Sequence, residues 1–134
     1  MDGSYKRGGN RKQLNVFGDD LEPCKSSKDK NDILTGFYRD NCCNTGLDDF
    51  GLHTVCCIMT NAFLTFSKSV GNDLSTPIPE HNFKGLSEGD HWCLCASRWQ
   101  EAFETGKAPK VILKSTNMAT LSVVKLEDLK KYSI

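Results

Sequence analysis

The chain has 134 residues, with 17 Lys and Arg against 17 Asp and Glu, so its formal net charge is zero. That length suits one domain with one core, and the lack of basic excess argues against a dedicated nucleic-acid binder or an anionic-membrane binder. At 38% hydrophobic, 25% charged and 9% aromatic residues, the composition is that of a globular domain, not a disordered chain.

No apolar run approaches the roughly 20 residues that span a bilayer. The N-terminal "MDGSYKRGGNRKQ" has basic residues without an apolar stretch behind them, so no secretory signal is read there. The expected setting is the cytoplasm or an organelle interior. In such a reducing compartment most of the seven cysteines are expected to be free thiols.

Residues 1–13 read as a flexible, mildly basic tail ahead of a single domain over residues 14–134. "LNVFGDDLEPC" carries one short strand and a turn, and "KSSKDKND", Lys25 to Asp32, a solvated polar loop. "ILTGFYRDNCCNTGLDDFG" is rich in turn formers, with a short extended piece around Phe37 and Tyr38. "LHTVCCIM", Leu52 to Met59, is the clearest strand, apolar on both faces and therefore central. Regular alternation puts Leu52, Thr54, Cys56 and Ile58 on one face and His53, Val55, Cys57 and Met59 on the other.

"TNAFLTFSKSVG" predicts a helix capped by Thr60, striped by Ala62, Phe63, Phe66 and Val70, and stopped by Gly71. Pro77 and Pro79 keep residues 72–90 irregular, and a loop of that length is often functional. "HWCLCA" predicts a second buried strand, with His91, Cys93 and Cys95 on one face and Trp92, Leu94 and Ala96 on the other. The helix after it has a capping box in Ser97 and Gln100, a buried stripe of Trp99, Ala102 and Phe103, and a stop at Gly106. "KVILKS", Lys110 to Ser115, predicts a third strand, Leu121 to Val124 a fourth, and "LEDLKKYS" a C-terminal helix. The expected fold is α+β: one compact domain with a small mixed or antiparallel sheet of about four strands, packed by about three helices.

Candidate chemistry centres on sulfur. Cys93 and Cys95 share one face of a strand and could ligate one metal ion, although their spacing is not that of a zinc knuckle. The helix start just beyond them makes Cys95 the thiol expected to be activated; the plainer alternative is two thiols packed in a sheet. Cys42 and Cys43 sit together in a polar loop, where an exposed reactive thiol is plausible. Arg39 and Asp40 flank them, and Arg39 suits an anion or a thiolate. Alternation separates His53 from Cys56, three residues on, so a dyad would need a cysteine from another segment; a bland half-buried histidine is the alternative. Asp48, Asp49 and Asp90 read as turn caps. Phosphate-binding loops, the metalloprotease helix and the nucleophile elbow are absent.

"LEPC", "TGFYRDNCCNTG", "HTVC", "FLTFSKSVGNDLSTPIPE" and "GDHWCLCASRWQEAFETGKAPKV" together resemble the domain of unknown function 2237 family, from about Asn15 to the C-terminus. The resemblance implies a single-domain protein with no established activity. It places Cys24, Cys42, Cys43, Cys56, Cys93 and Cys95 on the family's own cysteine positions. Cys57 departs from the pattern, standing where a small apolar residue is usual, and His91 stands where the family commonly has Arg. If that Arg contacts an anion in relatives, this chain would bind it more weakly or with pH dependence.

The expectation is a thiol-dependent or soft-metal-binding pocket. Its catalytic candidates are Cys42, Cys43, Cys95 and His53. A ligand would meet Arg39, Asp40, Asn72, Asp73, Ser75, Asp90, Trp92 and Arg98. A zinc ion, the one cofactor considered, would use Cys42, Cys56, Cys93 and Cys95. Expected partners are a small molecule or a protein, with neither nucleic acid nor membrane. The competing reading is a non-catalytic interaction module that presents the 72–90 loop and keeps its cysteines in the core. Structural disulfides in an oxidising compartment rank third.

Overall fold

The protein is described by a computed structural model covering residues 12–25 and 33–134. Residues 1–11 of the expected tail and 26–32 of the expected solvated loop lie outside the described residues. Three strands and three helices form a small α+β domain, with an antiparallel sheet in the order β2-β1-β3. Strand β1 (His53–Ile58) is central, as its two apolar faces require, and its four inner residues are buried. Strand β2 (His91–Cys95) pairs along one side and the two-residue β3 (Lys110–Val111) along the other.

Helix α1 (Asn61–Ser69) starts as its sequence directs: the Thr60 hydroxyl accepts from the Phe63 N–H at 3.1 Å. Its buried face is Phe63, Leu64 and Ser67, with Ala62 and Val70 exposed, so the expected stripe is rotated. Helix α2 (Ala96–Glu104) begins one residue before the expected Ser97 cap. Cys95 occupies the N-cap, no side chain caps the turn, and Gln100 bonds Glu104 instead. Buried Trp99 stacks on Phe103 and donates its indole N–H to Pro109 O at 3.2 Å. Helix α3 (Leu126–Lys131) closes the chain and inserts Leu129 into the main core.

The fourth strand does not form. Residues Met118–Ser122 make a 3-10 helix, capped by the Asn117 side chain on the Ala119 N–H, and Leu113–Ser115 another, so β3 ends early. The apolar residues there are too few to sustain a paired strand, and Asn117 gives its backbone a local alternative. No strand forms at Phe37–Tyr38 either; residues 36–43 are a turn in which Arg39 and Asn41 adopt left-handed φ of 58° and 65°. Among the described residues near the N-terminus, isolated bridges join Leu14 with Asp20 and Asn15 with Asn117 in place of a strand. Lys25 is buried rather than solvated, its ammonium held by Ile33 O. Gln13 bonds both Thr45 and Asn117, which ties it to the folded body.

Two irregularities position the site. The β1–β2 register runs His53 to Cys95 and then Val55 to Leu94, so Thr54 is an extra residue on β1, a bulge. Just before it Leu52 holds a φ of 50°, uncommon for a branched side chain, while its carbonyl accepts from Thr54 N and Ala96 N. The sulfur atoms form their own buried cluster, Cys24, Cys43, Cys56 and Cys93, beside the main core built on Trp99, Phe63 and Met59.

Candidate functional site

The Thr54 bulge changes which side chains meet. Cys56 opposes Cys93 across the two strands. With strict alternation, Thr54 would oppose Cys95 and His53 would point to the other face. The extra residue shifts the register by one and puts His53 opposite Cys95 instead. His53 and Cys95 thus face each other across the strands with their side chains interacting, and Cys95 remains a partly exposed free thiol.

Asp49 completes the group. Its carboxylate is wholly buried and lies 2.6 Å from His53 Nδ1 through one oxygen. The other oxygen accepts from His53 N–H at 3.0 Å and from the Thr45 hydroxyl at 2.9 Å. With Nδ1 engaged, Nε2 is the ring nitrogen left to serve Cys95. Phe37 packs on the His53 ring with centroids 5.6 Å apart. The imidazole is pushed up from its ordinary 6.5 to about 9, first by the hydrogen bond to Cys95 and then, against a lowering by burial, by Asp49.

Gly51 packs closely on the pair. A Cβ at this position would come within 3.0 Å of His53 Cε1 and 3.3 Å of Cys95 Sγ, so the absence of a side chain lets the two groups sit as they do. The loop from Thr45 to Gly51 also exposes Leu47 and Phe50 almost completely.

The other expected residues separate. Cys43 is bonded to Cys93 and Cys56 to Cys24, with Cα–Cα distances of 5.3 and 5.5 Å. Four of the seven cysteines are thus not free thiols, which corrects the expectation of mostly free thiols in a reducing compartment. That expectation weighed compartment, whereas pairing follows from which Cβ atoms the fold brings together. Cys43 accordingly offers no nucleophile in this state. The zinc set of Cys42, Cys56, Cys93 and Cys95 loses Cys56 and Cys93 to partners outside it. Instead Cys24, Cys43 and Cys93 hold their sulfurs within 4.8 Å of one another. Cys42 is free and half-buried, its thiol pushed up by burial and then by Asp40, which opposes activation. Cys57 is free but enclosed in the main core, and burial pushes its thiol well up.

Three ligand candidates, Arg39, Asp73 and Trp92, line one groove of about 990 Å³ walled by Pro77, Ile78 and Phe83. The Arg39 guanidinium lies 5.4 Å above the Trp92 ring. Asp73, held low by hydrogen bonds led by the Thr76 hydroxyl, also accepts from Ser75 N and so caps its own turn. Asn72 is tied to Ser67 at the end of α1. Asp40 caps the Cys42 N–H, and Asp90 accepts from Ser87 N. Arg98 pairs with Glu101 on α2 at 3.2 Å. Asp49 is the residue that turn-cap reasoning missed; its i, i+4 spacing from His53 was the available signal.

A family model described as an uncharacterized protein conserved in bacteria, DUF2237, matches residues 14–133. The chain belongs to this family. Its matched span contains all seven cysteines together with Asp49 and His53. None of the curated proteins matches. The family description states no activity, so function has to be argued from geometry. No helix among the described residues is long and apolar enough to cross a membrane.

Proposed function

We propose that this protein carries out thiol-dependent chemistry at Cys95, with His53 as its proton partner and Asp49 orienting the imidazole. The observation that carries the reading is the Asp49–His53–Cys95 grouping: a buried carboxylate 2.6 Å from Nδ1, and a free, partly exposed thiol opposite His53 on the paired strand. A carboxylate that fixes one ring nitrogen leaves the other to manage the proton of a nucleophile. Cys95 forms the transient covalent bond to an electrophilic substrate, His53 takes and returns the proton, and Asp49 holds the tautomer. The thiol is reached through its partly exposed side, and the exposed Leu47 and Phe50 of the loop before β1 favour a substrate with an apolar part.

The test is site-resolved alkylation of the native protein by iodoacetamide at neutral pH. Cys95 reacts first, ahead of Cys42 and Cys57. Replacing His53 with Ala slows Cys95 by about tenfold or more, the low side of general acid–base effects. Equal rates at Cys42 and Cys95, or a His53→Ala variant as fast as the wild type, would reject the reading.

The groove beside the 72–90 loop supports a second reading, in which a small molecule binds there without reaction. Its apolar wall, with Arg39 above Trp92, suits an aromatic or apolar ligand bearing an anionic group. Reduced ligand uptake by Trp92→Ala, with Cys95 alkylation unchanged, would favour it.

A further inference from the structure

We infer that the four buried sulfurs of Cys24, Cys43, Cys56 and Cys93 form a redox-gated site for one zinc ion, separate from Cys95. Oxidised, they are two disulfides; reduced, they are a tetrathiolate site.

The arrangement supports this in three ways. The four cysteines form a cluster of their own, at 0 to 2% exposure, with Ile112 packed against it. Two independent disulfides in a core need not touch, yet here Cys24 Sγ lies within 4.8 Å of both sulfurs of the other bridge. A zinc ion with Zn–S bonds of about 2.3 Å needs sulfurs about 3.8 Å apart in a tetrahedron. Side-chain rotation can open each reduced pair to that spacing from fixed Cα–Cα distances of 5.5 and 5.3 Å. Cys56 supplies the fourth ligand, since it is both the partner of Cys24 and the cross-strand neighbour of Cys93.

The donor set also selects the metal. Four thiolates without a carboxylate or imidazole favour zinc and other soft ions over magnesium or calcium. The ligands come from four segments that the fold already joins: Cys24 N bonds Asn41 O, Cys93 N is held by Thr35, and Cys56 N by Thr116. The cluster is thus framed by backbone bonds that do not involve its sulfurs.

The chemistry balances with a dithiol as reductant. Each disulfide accepts two electrons and two protons from one dithiol, which leaves as a disulfide. The resulting four thiols release four protons to solvent as one zinc ion binds. In the reverse direction each thiolate pair passes two electrons to one small-molecule disulfide, which leaves as two thiols after taking two protons from solvent, and the two protein disulfides re-form as the ion is expelled. The protein would thereby hold zinc in a reducing setting and release it in an oxidising one.

The test uses the full chain, oxidised and after native reduction, titrated anaerobically with Zn(II) and separately with Co(II). The reduced protein should bind one metal per chain with the visible bands of tetrahedral cobalt–thiolate, and the oxidised protein none. Bound zinc should protect Cys24, Cys43, Cys56 and Cys93 from alkylation while Cys42 and Cys95 still react. The Cys42→Ser and Cys95→Ser variants should keep one metal, which separates this site from the Cys95 chemistry. Cys93→Ser should lose it; because that change also removes a buried core bridge, the protection pattern of the wild type decides independently. Equal uptake by oxidised and reduced protein would overturn the inference. So would protection of Cys42 and Cys95 instead, or a reduced chain that zinc neither occupies nor refolds.

Discussion

Asp49→Asn is the substitution that tests the site most directly, because it keeps shape and removes charge. The amide can still accept from His53 N–H and Thr45, the bonds made by Oδ2 in the wild type. It must then present its NH₂ to Nδ1, where the carboxylate oxygen stood 2.6 Å away. A donor at Nδ1 leaves the neutral ring's proton on Nε2, the tautomer that cannot accept from Cys95. In the wild type the rise of His53 from 6.5 to about 9 corresponds, at roughly 1.4 kcal/mol per pH unit, to about 3 kcal/mol. His53 is 32% exposed and solvent screens much of that interaction, so about 1–2 kcal/mol is the expected usable part. Cys95 is the larger cause and Asp49 a lesser one, so the substitution should lower the His53 midpoint by about one pH unit. Proton NMR of the imidazole Cε1–H across pH 5–10 measures this, and Cys95 alkylation should slow by about tenfold in parallel. A wild-type midpoint near the ordinary value, or one unmoved by Asp49→Asn, would refute the reasoning about this site.

Stability should follow the same ring. The folded-state value lies above the unfolded one, so the stabilisation is complete below pH 6.5 and is lost as pH rises through about 9. Urea unfolding should show a loss on the order of 1 kcal/mol over that window, absent from His53→Gln. Reducing the Cys24–Cys56 and Cys43–Cys93 bridges, which close loops spanning 32 and 50 residues in sequence, removes constraints on the unfolded chain. Without added metal the midpoint in urea should fall by an amount equivalent to about 3–4 kcal/mol for the first bridge opened, less for the second because the loops overlap. Gly36 has a φ of 93° and a Cβ there would collide with Cys42 O. Gly36→Ala should therefore destabilise by about 2 kcal/mol or more in thermal unfolding. Gly51→Ala, crowding His53 Cε1 and Cys95 Sγ, should slow Cys95 alkylation while shifting stability by less than about 1 kcal/mol; an unchanged rate would mean that reagents approach from elsewhere.

Sequence alone determined the parts of this protein that rest on local pattern. The central strand, its Thr60-capped helix, the "HWCLC" strand and the C-terminal helix each follow from periodicity and capping within a few residues. It also singled out sulfur as the candidate chemistry, with Cys95 and His53 among the candidates. It failed where local signals were weak or outvoted: Ser97 did not cap α2, and in place of a strand at Leu121 to Val124 the chain made a 3-10 helix over Met118–Ser122 under the Asn117 cap. Only the tertiary structure decided the pairing of the cysteines, because it depends on which Cβ atoms the chain brings together across 32 and 50 residues. It also decided the site itself. Strict alternation would have turned His53 away from the sulfur-bearing face, and the extra residue at Thr54 turns it back to meet Cys95, with Asp49 behind it. A bulge is a property of two strands fitted together, so one strand's sequence does not announce it.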